Sequence, residues 1–393
     1  MTEPTGTWGI GMVGYAFMGA AHSQGWRSVA AFFDVPVRPA MAAICGRDAQ
    51  AVTAAADRMG WSSVETDWRR VIARDDIQVV DICTPGDSHA EIAIAALEAG
   101  KHVVCEKPLA NTVAEAEAMA AAAERASANG ARAMVNFNYR RVPALAFAKR
   151  LVEAGRLGAI RHVRARYLQD WIVDPEFPLV WRLQKERAGS GALGDIGAHI
   201  IDIAQFVTGQ LLTGVSALTE TFVTERPVLE VTAGGLAAQA GQTTGPVTVD
   251  DAALFIGRLS NGAVATFEAT RFASGRKNGL HLEINGSSGS IVFDLEALNE
   301  LQFFDRTEDA ETAGFRRILV TESVHPYVEA WWPPGHIIGW EHTFTHAFAD
   351  FLGDAASGRQ PQPSFAEGLQ VQRVLAAVEA SAAEGSNWVE IEK

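Results

Sequence analysis

The 393-residue sequence has few cysteines and no long apolar segment. Its cysteines are odd in number and form no CxxC pair, so they predict neither a disulfide framework nor a zinc site; they are Cys45, Cys83 and Cys105. We expect them to be small buried residues of a protein kept in a reducing cytoplasm. The alanine-rich segment 113–128 carries four charged side chains, and no run of about 18 uncharged residues predicts a membrane-spanning helix.

Positive charge is also scarce. The chain has 33 Lys and Arg against 47 Asp and Glu, a formal net charge of −14. This charge repels phosphate backbones and anionic lipid, so it argues against nucleic acid and membrane partners. Residues 1–8 contain no basic residue and no long apolar core, so we expect no secretion signal and a cytoplasmic location.

Between Trp8 and about Tyr139, short apolar runs alternate with longer segments of helical period. The runs predict strands at 9–13, 40–45, 79–83, 102–105 and 133–137, with helices at 18–31, 49–59, 88–99 and 113–128. Alternating strands and helices of this kind build a parallel sheet. We therefore predict an α/β protein whose first domain, residues 1–139, is a Rossmann-type doubly wound parallel sheet.

The pattern changes after Pro143, where a helix to about Glu153 is followed by runs of alternating residues. Asn261-Gly262 and Asn285-Gly286 each separate two such runs, and Asn-Gly favours a hairpin turn because both turn positions need positive φ. We predict that residues 140–393 form an α+β domain with a large, mostly antiparallel open sheet, and an open sheet face of this kind is commonly an interface.

Two further segments complete the predicted organisation of the second half. Residues 234–247 are rich in Gly, Ala, Gln and Thr, and we interpret them as a mobile surface loop without chemistry. The chain ends with predicted helices at 340–352 and 365–383.

The turn Gly14-Tyr15-Ala16-Phe17-Met18-Gly19 leaves the first predicted strand and opens the first helix. In a dinucleotide-binding turn the first Gly makes the tight turn, the second position admits a pyrophosphate, and the third packs helix on strand. Ala16 adds one methyl at the second position, but the backbone amides at the helix start still offer an anion site. We predict that Gly14, Ala16, Phe17 and Met18 bind the cofactor.

The end of the second strand normally decides between NAD and NADP, through an acidic residue that holds the ribose hydroxyls of NAD. Here the sequence reads Gly46-Arg47-Asp48. Arg47 could bind a 2′-phosphate or stack on adenine, and Asp48 could equally cap the following helix. The sequence therefore leaves NAD and NADP both open.

Two further blocks carry chemistry. The first is Thr84-Pro85 with His89, followed by 99–108, which ends in Glu106-Lys107-Pro108; the second is 191–202, which contains Asp195 and His199. With the glycine turn, in this order and at these separations, they resemble the glucose–fructose oxidoreductase / inositol dehydrogenase (GFO/IDH/MocA) family over essentially the whole chain. The resemblance implies a two-domain NAD(P)-dependent enzyme that oxidises a secondary hydroxyl of a pyranose or cyclitol, and a homodimer or homotetramer joined through the C-terminal sheet.

Within that family, the stretches 167–171, 181–182 and 189–195 are most similar to levoglucosan dehydrogenase and to sugar and glycoside 3-dehydrogenases, which implies oxidation at C3. The chain departs from the family pattern at Gly86-Asp87, where Asn often follows Thr-Pro. Four activities stay open: the dehydrogenase, a keto-sugar reductase, a lyase that oxidises its substrate transiently, and a catalytically silent dinucleotide sensor.

Oxidation of a carbinol needs a proton acceptor and a cationic donor to the oxygen. Lys107 follows a strand whose carboxyl end lies where such sheets bind ligands, so it can donate to that oxygen while Glu106 holds it. Asp195 and His199 are four residues apart and share a helix face, so His199 can accept the proton while Asp195 orients it or binds substrate. Spacing alone favours a solvated loop and a surface pair; the resemblance assigns Lys107, Asp195 and His199 to catalysis.

Other polar and aromatic residues fit the two binding sites. The predicted cofactor contacts also include Arg47, Thr84, Pro85, His89, Glu106, Lys107 and Asn136. The predicted substrate contacts are Lys107, Tyr139, Gln169, Trp171, Trp181, Arg182, Asp195, His199 and His336, since aromatic faces suit the C–H face of a sugar ring. For any single tryptophan, core packing is the better explanation. His342 and His346 are four apart, but their order is not that of a zincin, so we predict no metal.

Overall fold

The computed structural model describes residues 6–229 and 240–392. These residues divide into two compact units. The first unit contains residues 6–138 together with Glu341–Gln372, and the second contains 139–229, 240–340 and 373–392. No helix in the described ranges is both long and apolar enough to cross a membrane.

The first unit is built on a six-stranded sheet. Its strands are Thr7–Val13 (β1), Arg38–Cys45 (β2), Val64–Glu65 (β3), Val79–Ile82 (β4), His102–Cys105 (β5) and Ala133–Val135 (β6). All pair in parallel, in the order β3-β2-β1-β4-β5-β6. Side chains such as Val79, Val80 and Ile82 are fully buried, as expected for a parallel sheet covered on both faces. The predicted doubly wound sheet is confirmed.

Several helices begin at caps that are readable in the sequence. Asp48 accepts hydrogen bonds from the backbone amides of Gln50 and Ala51, and Thr112 with Glu115 forms a capping box. The helices are Phe17–Phe32 (α1), Ala49–Met59 (α2), Trp68–Ile72 (α3), His89–Glu98 (α4), Val113–Ser127 (α5), Pro143–Glu153 (α6), Lys185–Ala188 (α7), Ala198–Thr208 (α8), His342–Ala356 (α9) and Phe365–Ala383 (α10). The short α3 and β3 were not predicted, because segments of five and two residues are too short to show a helical or strand periodicity of hydrophobic residues.

The first unit takes in Glu341–Gln372, which the sequence analysis assigned to the second domain. Aromatic packing explains this difference. The rings of Trp26 in α1 and Phe348 in α9 stack with their centroids 3.8 Å apart. A Cβ on Gly25 would lie 2.7 Å from the Phe348 ring, so the glycine permits this close approach.

The second unit is built on a nine-stranded sheet. The strands of this unit are Ile160–Leu168 (β7), Leu212–Glu220 (β8), Glu225–Leu229 (β9), Ala240–Pro246 (β10), Ala252–Leu259 (β11), Val264–Thr270 (β12), Gly279–Gly286 (β13), Gly289–Asp294 (β14), Glu300–Asp305 (β15), Arg316–Leu319 (β16) and Val389–Glu390 (β17). The large sheet runs in the order β16-β15-β14-β13-β7-β12-β11-β8-β17, and β9 pairs with β10. Only β7 and β12 pair in parallel within it, so the predicted mostly antiparallel sheet is confirmed.

Two local predictions in this unit need correction. The Asn261-Gly262 hairpin is present, with Gly262 at φ 87°, but Asn285 and Gly286 continue β13 and the turn falls two residues later. A Cβ on Gly286 would lie 2.0 Å from the Leu157 carbonyl oxygen, so this glycine serves close packing rather than a turn. Of the predicted loop 234–247, residues 240–246 form a strand and 234–239 lie outside the described residues.

Candidate active site

The glycine turn has the geometry that the sequence predicts. Gly14 has φ 108°, and a Cβ there would lie 2.6 Å from the Cys83 carbonyl oxygen. A Cβ on Gly19 would lie 2.4 Å from the Gly14 carbonyl oxygen, so helix and strand meet backbone to backbone. Ala16 makes no side-chain cap, and the first turn of α1 carries no acidic residue. The start of α1 therefore presents backbone amides to an anion.

Two acidic residues, Glu65 in β3 and Asp67 just after it, lie near the carboxyl end of β2. The Tyr15 ring covers Gly46, since a Cβ on Gly46 would lie 2.1 Å from it, while Arg47 is exposed. Burial, together with the charges of Asp67 and Glu65, raises the pKa of Cys45 to about 12. These two carboxylates belong to β3 and the residues just after it, and they were not predicted because they lie about 20 residues beyond the end of β2 in sequence.

His89 joins the two loops that follow β4 and β5. Its Nε2 lies 2.9 Å from the Thr84 carbonyl oxygen, and its Nδ1 lies 3.1 Å from the Pro108 carbonyl oxygen. The ring is 1% exposed. His89 therefore holds the Thr84-Pro85 loop against the segment that follows Lys107.

A buried ion cluster lies at the carboxyl ends of β4 and β5, formed by Asp81, His22 and Glu106. His22 Nδ1 lies 2.9 Å from both Asp81 carboxylate oxygens, and Nε2 lies 2.9 Å from Glu106 Oε1. Trp26 Nε1 donates to Asp81 Oδ2 at 2.7 Å, and Asn136 Nδ2 donates to Glu106 Oε1 at 2.9 Å. Lys107, half-buried, follows Glu106 directly. Glu106 and Asn136 are predicted site residues, whereas His22 and Asp81 were not predicted.

The charges of the buried ion cluster are mutually supporting. Burial works against a charged His22, but Asp81 raises the pKa of His22 well above its usual value. Burial likewise works against a charged Glu106, but the hydrogen bond and charge of His22, aided by Lys107, lower the pKa of Glu106. Both groups are therefore ionised at neutral pH.

His22, Asp81 and Cys83 are the one group within the described ranges whose donor atoms could surround a metal ion, all within 4.8 Å of one another. Both ring nitrogens of His22 already lie at hydrogen-bond distance from carboxylates. Burial raises the pKa of the Cys83 thiol, so it stays protonated and is a poor ligand. Hydrogen bonds between His22 and the carboxylates therefore explain why these three side chains lie close together, without a metal ion.

Asp195 and His199 lie where a wide π-helical turn, Leu193–Gly197, passes into α8. The Asp250 carboxylate accepts from the backbone amides of Gly191 and Leu193, at 2.7 and 2.8 Å, and so fixes this turn. Such turns occur often at functional sites. The sequence predicts an ordinary α-helix here, because residue spacing does not distinguish an α-helical turn from a π-helical one.

The carboxylate of Asp195 faces a buried guanidinium. Arg271 is fully buried, and its Nη1 lies 3.7 Å from Asp195 Oδ2. Burial lowers the pKa of Arg271, yet a guanidinium remains charged at neutral pH. Its Nη2 donates to the Asp250 carbonyl oxygen at 3.2 Å, and its centre lies 5.4 Å from the Trp171 ring. Arg271 therefore connects Asp195 with the predicted substrate-binding residue Trp171.

A second group, the polar-aromatic cluster, surrounds His199. Its members are Tyr139, Tyr167, Asn278, Gln169, Trp171 and His199. The two tyrosine hydroxyls lie 2.7 Å apart, and the Tyr167 hydroxyl donates to Asn278 Oδ1 at 2.6 Å. Gln169 Nε2 donates to the same oxygen at 2.9 Å, and Trp171 Nε1 donates to Gln169 Oε1 at 3.0 Å.

His199 packs against both tyrosine rings of this cluster, with centroid distances of 4.5 Å to Tyr139 and 6.0 Å to Tyr167. Burial raises the pKa of Tyr139, so its hydroxyl is neutral at physiological pH. The structure thus brings together the predicted residues Tyr139, Gln169, Trp171 and His199.

Of the other predicted substrate residues, Arg182 lies close enough to Arg271 for its charge, after burial, to lower the pKa of Arg271. The Arg182 guanidinium stacks 4.4 Å from the Trp181 ring centre. His336 is exposed in a turn, with its Nδ1 2.8 Å from the Pro333 carbonyl oxygen. Arg271 and Asn278 were not predicted, although Arg271 directly follows β12 and Asn278 directly precedes β13.

The first unit fits a nicotinamide dinucleotide. Asn136 Oδ1, at the end of β6, is buried and has no hydrogen-bond partner among the described residues. A carboxamide group is a donor that would satisfy such an acceptor. Together with the close backbone approach at Gly14 and the start of α1, this gives the first unit groups that suit a dinucleotide at the glycine turn and at Asn136.

The chain is similar to known proteins over nearly its whole length. Residues 8–137 match the family model of the oxidoreductase family with an NAD-binding Rossmann fold, and 145–292 match that of the GFO/IDH/MocA C-terminal domain. Levoglucosan dehydrogenase of Pseudarthrobacter phenanthrenivorans is 44% identical over 386 residues, which cover 97% of each chain. The crystal structure of an oxidoreductase domain protein from Kribbella flavida is 63% identical with a TM-score of 0.94, covering 99% of this chain and 100% of that one. The structure of levoglucosan dehydrogenase with NADH and levoglucosan is 43% identical with a TM-score of 0.92, covering 98% and 100%.

Proposed function

Because the chain belongs to the GFO/IDH/MocA oxidoreductase family, with an NAD-binding Rossmann domain, we propose that it is a sugar dehydrogenase. Its substrate is a pyranose sugar, anhydrosugar, glycoside or cyclitol, and it oxidises a secondary hydroxyl, at C3 in a pyranose. The polar-aromatic cluster around His199 carries this proposal, because it combines hydroxyl-binding groups with flat rings. Levoglucosan dehydrogenase, a 44% identical relative, supports it.

We assign cofactor binding to residues 1–139 and substrate binding to 140–393. When bound, NAD accepts hydride from the carbinol carbon. The amides of Ala16, Phe17 and Met18 would hold its pyrophosphate, and Asn136 its carboxamide. The carboxylates of Glu65 and Asp67 would repel a 2′-phosphate, so we expect NAD to be preferred to NADP.

The acid–base roles follow from the chemistry of each side chain. Lys107 Nζ donates to the reacting oxygen and stabilises negative charge as it develops. His199 accepts the hydroxyl proton at Nε2, since its Nδ1 is buried. Asp195, held by Arg271, accepts a hydrogen bond from a neighbouring hydroxyl of the sugar.

The first experiment measures NADH formation by the purified protein with levoglucosan, inositols, glucose and methyl glycosides, each with NAD+ and with NADP+. We expect turnover on at least one pyranose and at least about tenfold higher kcat/KM with NAD+. NMR of the product tests whether C3 carries the carbonyl. Turnover only with keto-sugars and NADH would replace the proposal by a reductase. Cofactor binding without turnover in either direction would favour the lyase or the sensor.

We further propose that the chain forms a homodimer or homotetramer through the outer face of the large sheet. Four apolar side chains on this face are 44–57% exposed: Leu218, Leu254, Ile256 and Val264. They alternate with buried residues along β8, β11 and β12, so they point to one side of the sheet. Arg258, Thr266 and Glu268 lie beside them on the same face. Exposed apolar side chains set among polar ones on one sheet face are typical of an interface between proteins.

A charge in the centre of this face tests the proposed assembly. We expect Ile256→Glu to lower the mass measured by light scattering after size-exclusion chromatography to that of a smaller species, because an unpaired buried carboxylate is costly. Val324→Glu is the control, since Val324 is 73% exposed and lies off these strands. An Ile256→Glu protein of unchanged mass would remove the sheet face from the interface.

A further inference from the structure

The reaction proposed above does not use His22, although the buried ion cluster is centred on it. His22 and Asp81 have no exposed side-chain surface, and that of Glu106 is 6% exposed. Ionised carboxylates only accept hydrogen bonds, so His22 must carry a proton on both ring nitrogens to bond to both of them. Its Nε2 and Asn136 Nδ2 then donate to the same oxygen, which explains why these nitrogens lie 2.9 Å apart.

The cluster and Lys107 together balance their charges. Asp81 and Glu106 contribute two negative charges, and His22 and Lys107 contribute two positive charges. If His22 lost its charge, the Lys107 ammonium would be the one positive charge left to balance two buried carboxylates, which is strongly unfavourable. Glu106 would then take up a proton or draw the Lys107 ammonium toward itself. Either change would remove Lys107 from the orientation that donation to a substrate oxygen needs.

We propose that His22, as an imidazolium clamped between Asp81 and Glu106, is a positioning residue that holds Glu106 ionised and in place and thereby orients Lys107. This inference rests on the proposed function for the role of Lys107. The proposal gives His22 no contact with substrate or with the cofactor, so we expect a larger effect on kcat than on cofactor affinity.

The decisive experiment is a pair of variants that separates charge from shape. His22→Gln retains an amide donor but has no charge, and we expect kcat to fall at least about tenfold while the Kd for NADH stays within about threefold. In the double variant His22→Gln with Asp81→Asn, one negative charge is also removed, so the balance returns. We expect this double variant to recover most of the lost kcat.

The double variant is informative because Glu106 and Lys107 are untouched and an asparagine oxygen can still accept from Trp26 Nε1. His102→Gln is the matched control, since His102 lies on the neighbouring β5, stacks on Trp8 at 4.5 Å and lies outside the cluster. We expect it to leave kcat within about twofold. A double variant no better than His22→Gln would overturn the charge argument, as would a loss of NADH binding parallel to the loss of kcat.

A second measurement needs no turnover. With 15N-labelled histidine, the His22 signals are expected to stay those of an imidazolium between about pH 6 and pH 9. A neutral ring, or one equivalent of metal held with His22, Asp81 and Cys83 by elemental analysis, overturns this inference alone. Absence of turnover in the wild-type enzyme, with an imidazolium at His22, overturns the proposed function instead. If His22→Gln fails to fold, Asp81→Asn alone is used, and it is expected to lower kcat because the cluster then carries an excess positive charge.

Discussion

Replacing Lys107 with methionine is expected to lower kcat by at least about a hundredfold, equivalent to about 2.7 kcal/mol of transition-state stabilisation. Methionine keeps the unbranched chain but removes the ammonium that donates to the reacting oxygen. Because this charge matters most when negative charge develops on that oxygen, KM for the sugar should change less than kcat. Steady-state kinetics with the substrate found in the panel, and NADH titration for cofactor affinity, measure both effects.

Lys101 provides a matched control, because it flanks β5 just as Lys107 does. It precedes β5 at the end opposite to Lys107, and its Nζ donates to the carbonyl oxygens of Arg74 and Ile77 at 2.7 and 2.8 Å. Lys101→Met removes these two bonds, so it should lower Tm but leave kcat within about threefold. Near wild-type turnover in the Lys107 variant, or an equal loss in the Lys101 variant, would contradict the donor role of Lys107.

Much of the first unit could be predicted from the sequence because its signals are local. The parallel strands are short apolar runs, and Asp48 and Thr112 cap helices within three residues of themselves. The turn at Gly14 follows from the positive φ that glycine permits. In contrast, the packing of Glu341–Gln372 on this unit depends on contacts such as Trp26 with Phe348, more than 300 residues apart, which no local pattern indicates.

The residues that hold the site were harder to predict than the residues proposed to react. Lys107, Asp195 and His199 lie in sequence motifs, so resemblance to a family is enough to predict their roles. His22 interacts with groups 59 and 84 residues away, and Arg271 reaches Asp195 from a distant strand end. A single buried histidine or arginine has no sequence signal that distinguishes it from a core or surface residue. Its role becomes visible only when the sheet brings its partners together.

Replacing His199 with glutamine is expected to lower kcat at least about a hundredfold, because the amide cannot accept the hydroxyl proton. The ring is 6% exposed and packs 4.5 Å from Tyr139, and glutamine preserves a polar side chain in that space. A general base works only when deprotonated, so kcat/KM of the wild-type enzyme should fall as the pH is lowered. We expect this acidic limb to be lost in the His199 variant, which pH profiles of both proteins would measure.

His325 is the control for a merely structural histidine of the same unit. It is also buried, packs against Phe147 with a centroid distance of 5.0 Å, and accepts a hydrogen bond from the Glu322 backbone amide. His325→Gln removes these contacts, so it should lower Tm. It should leave kcat and the acidic limb of the pH profile unchanged, because His325 packs against Phe147 and not against the tyrosine pair beside His199. If the acidic limb persists in the His199 variant with a small loss of kcat, the proton is accepted elsewhere, and the tyrosine pair, whose hydroxyls lie 2.7 Å apart beside His199, becomes the group to test.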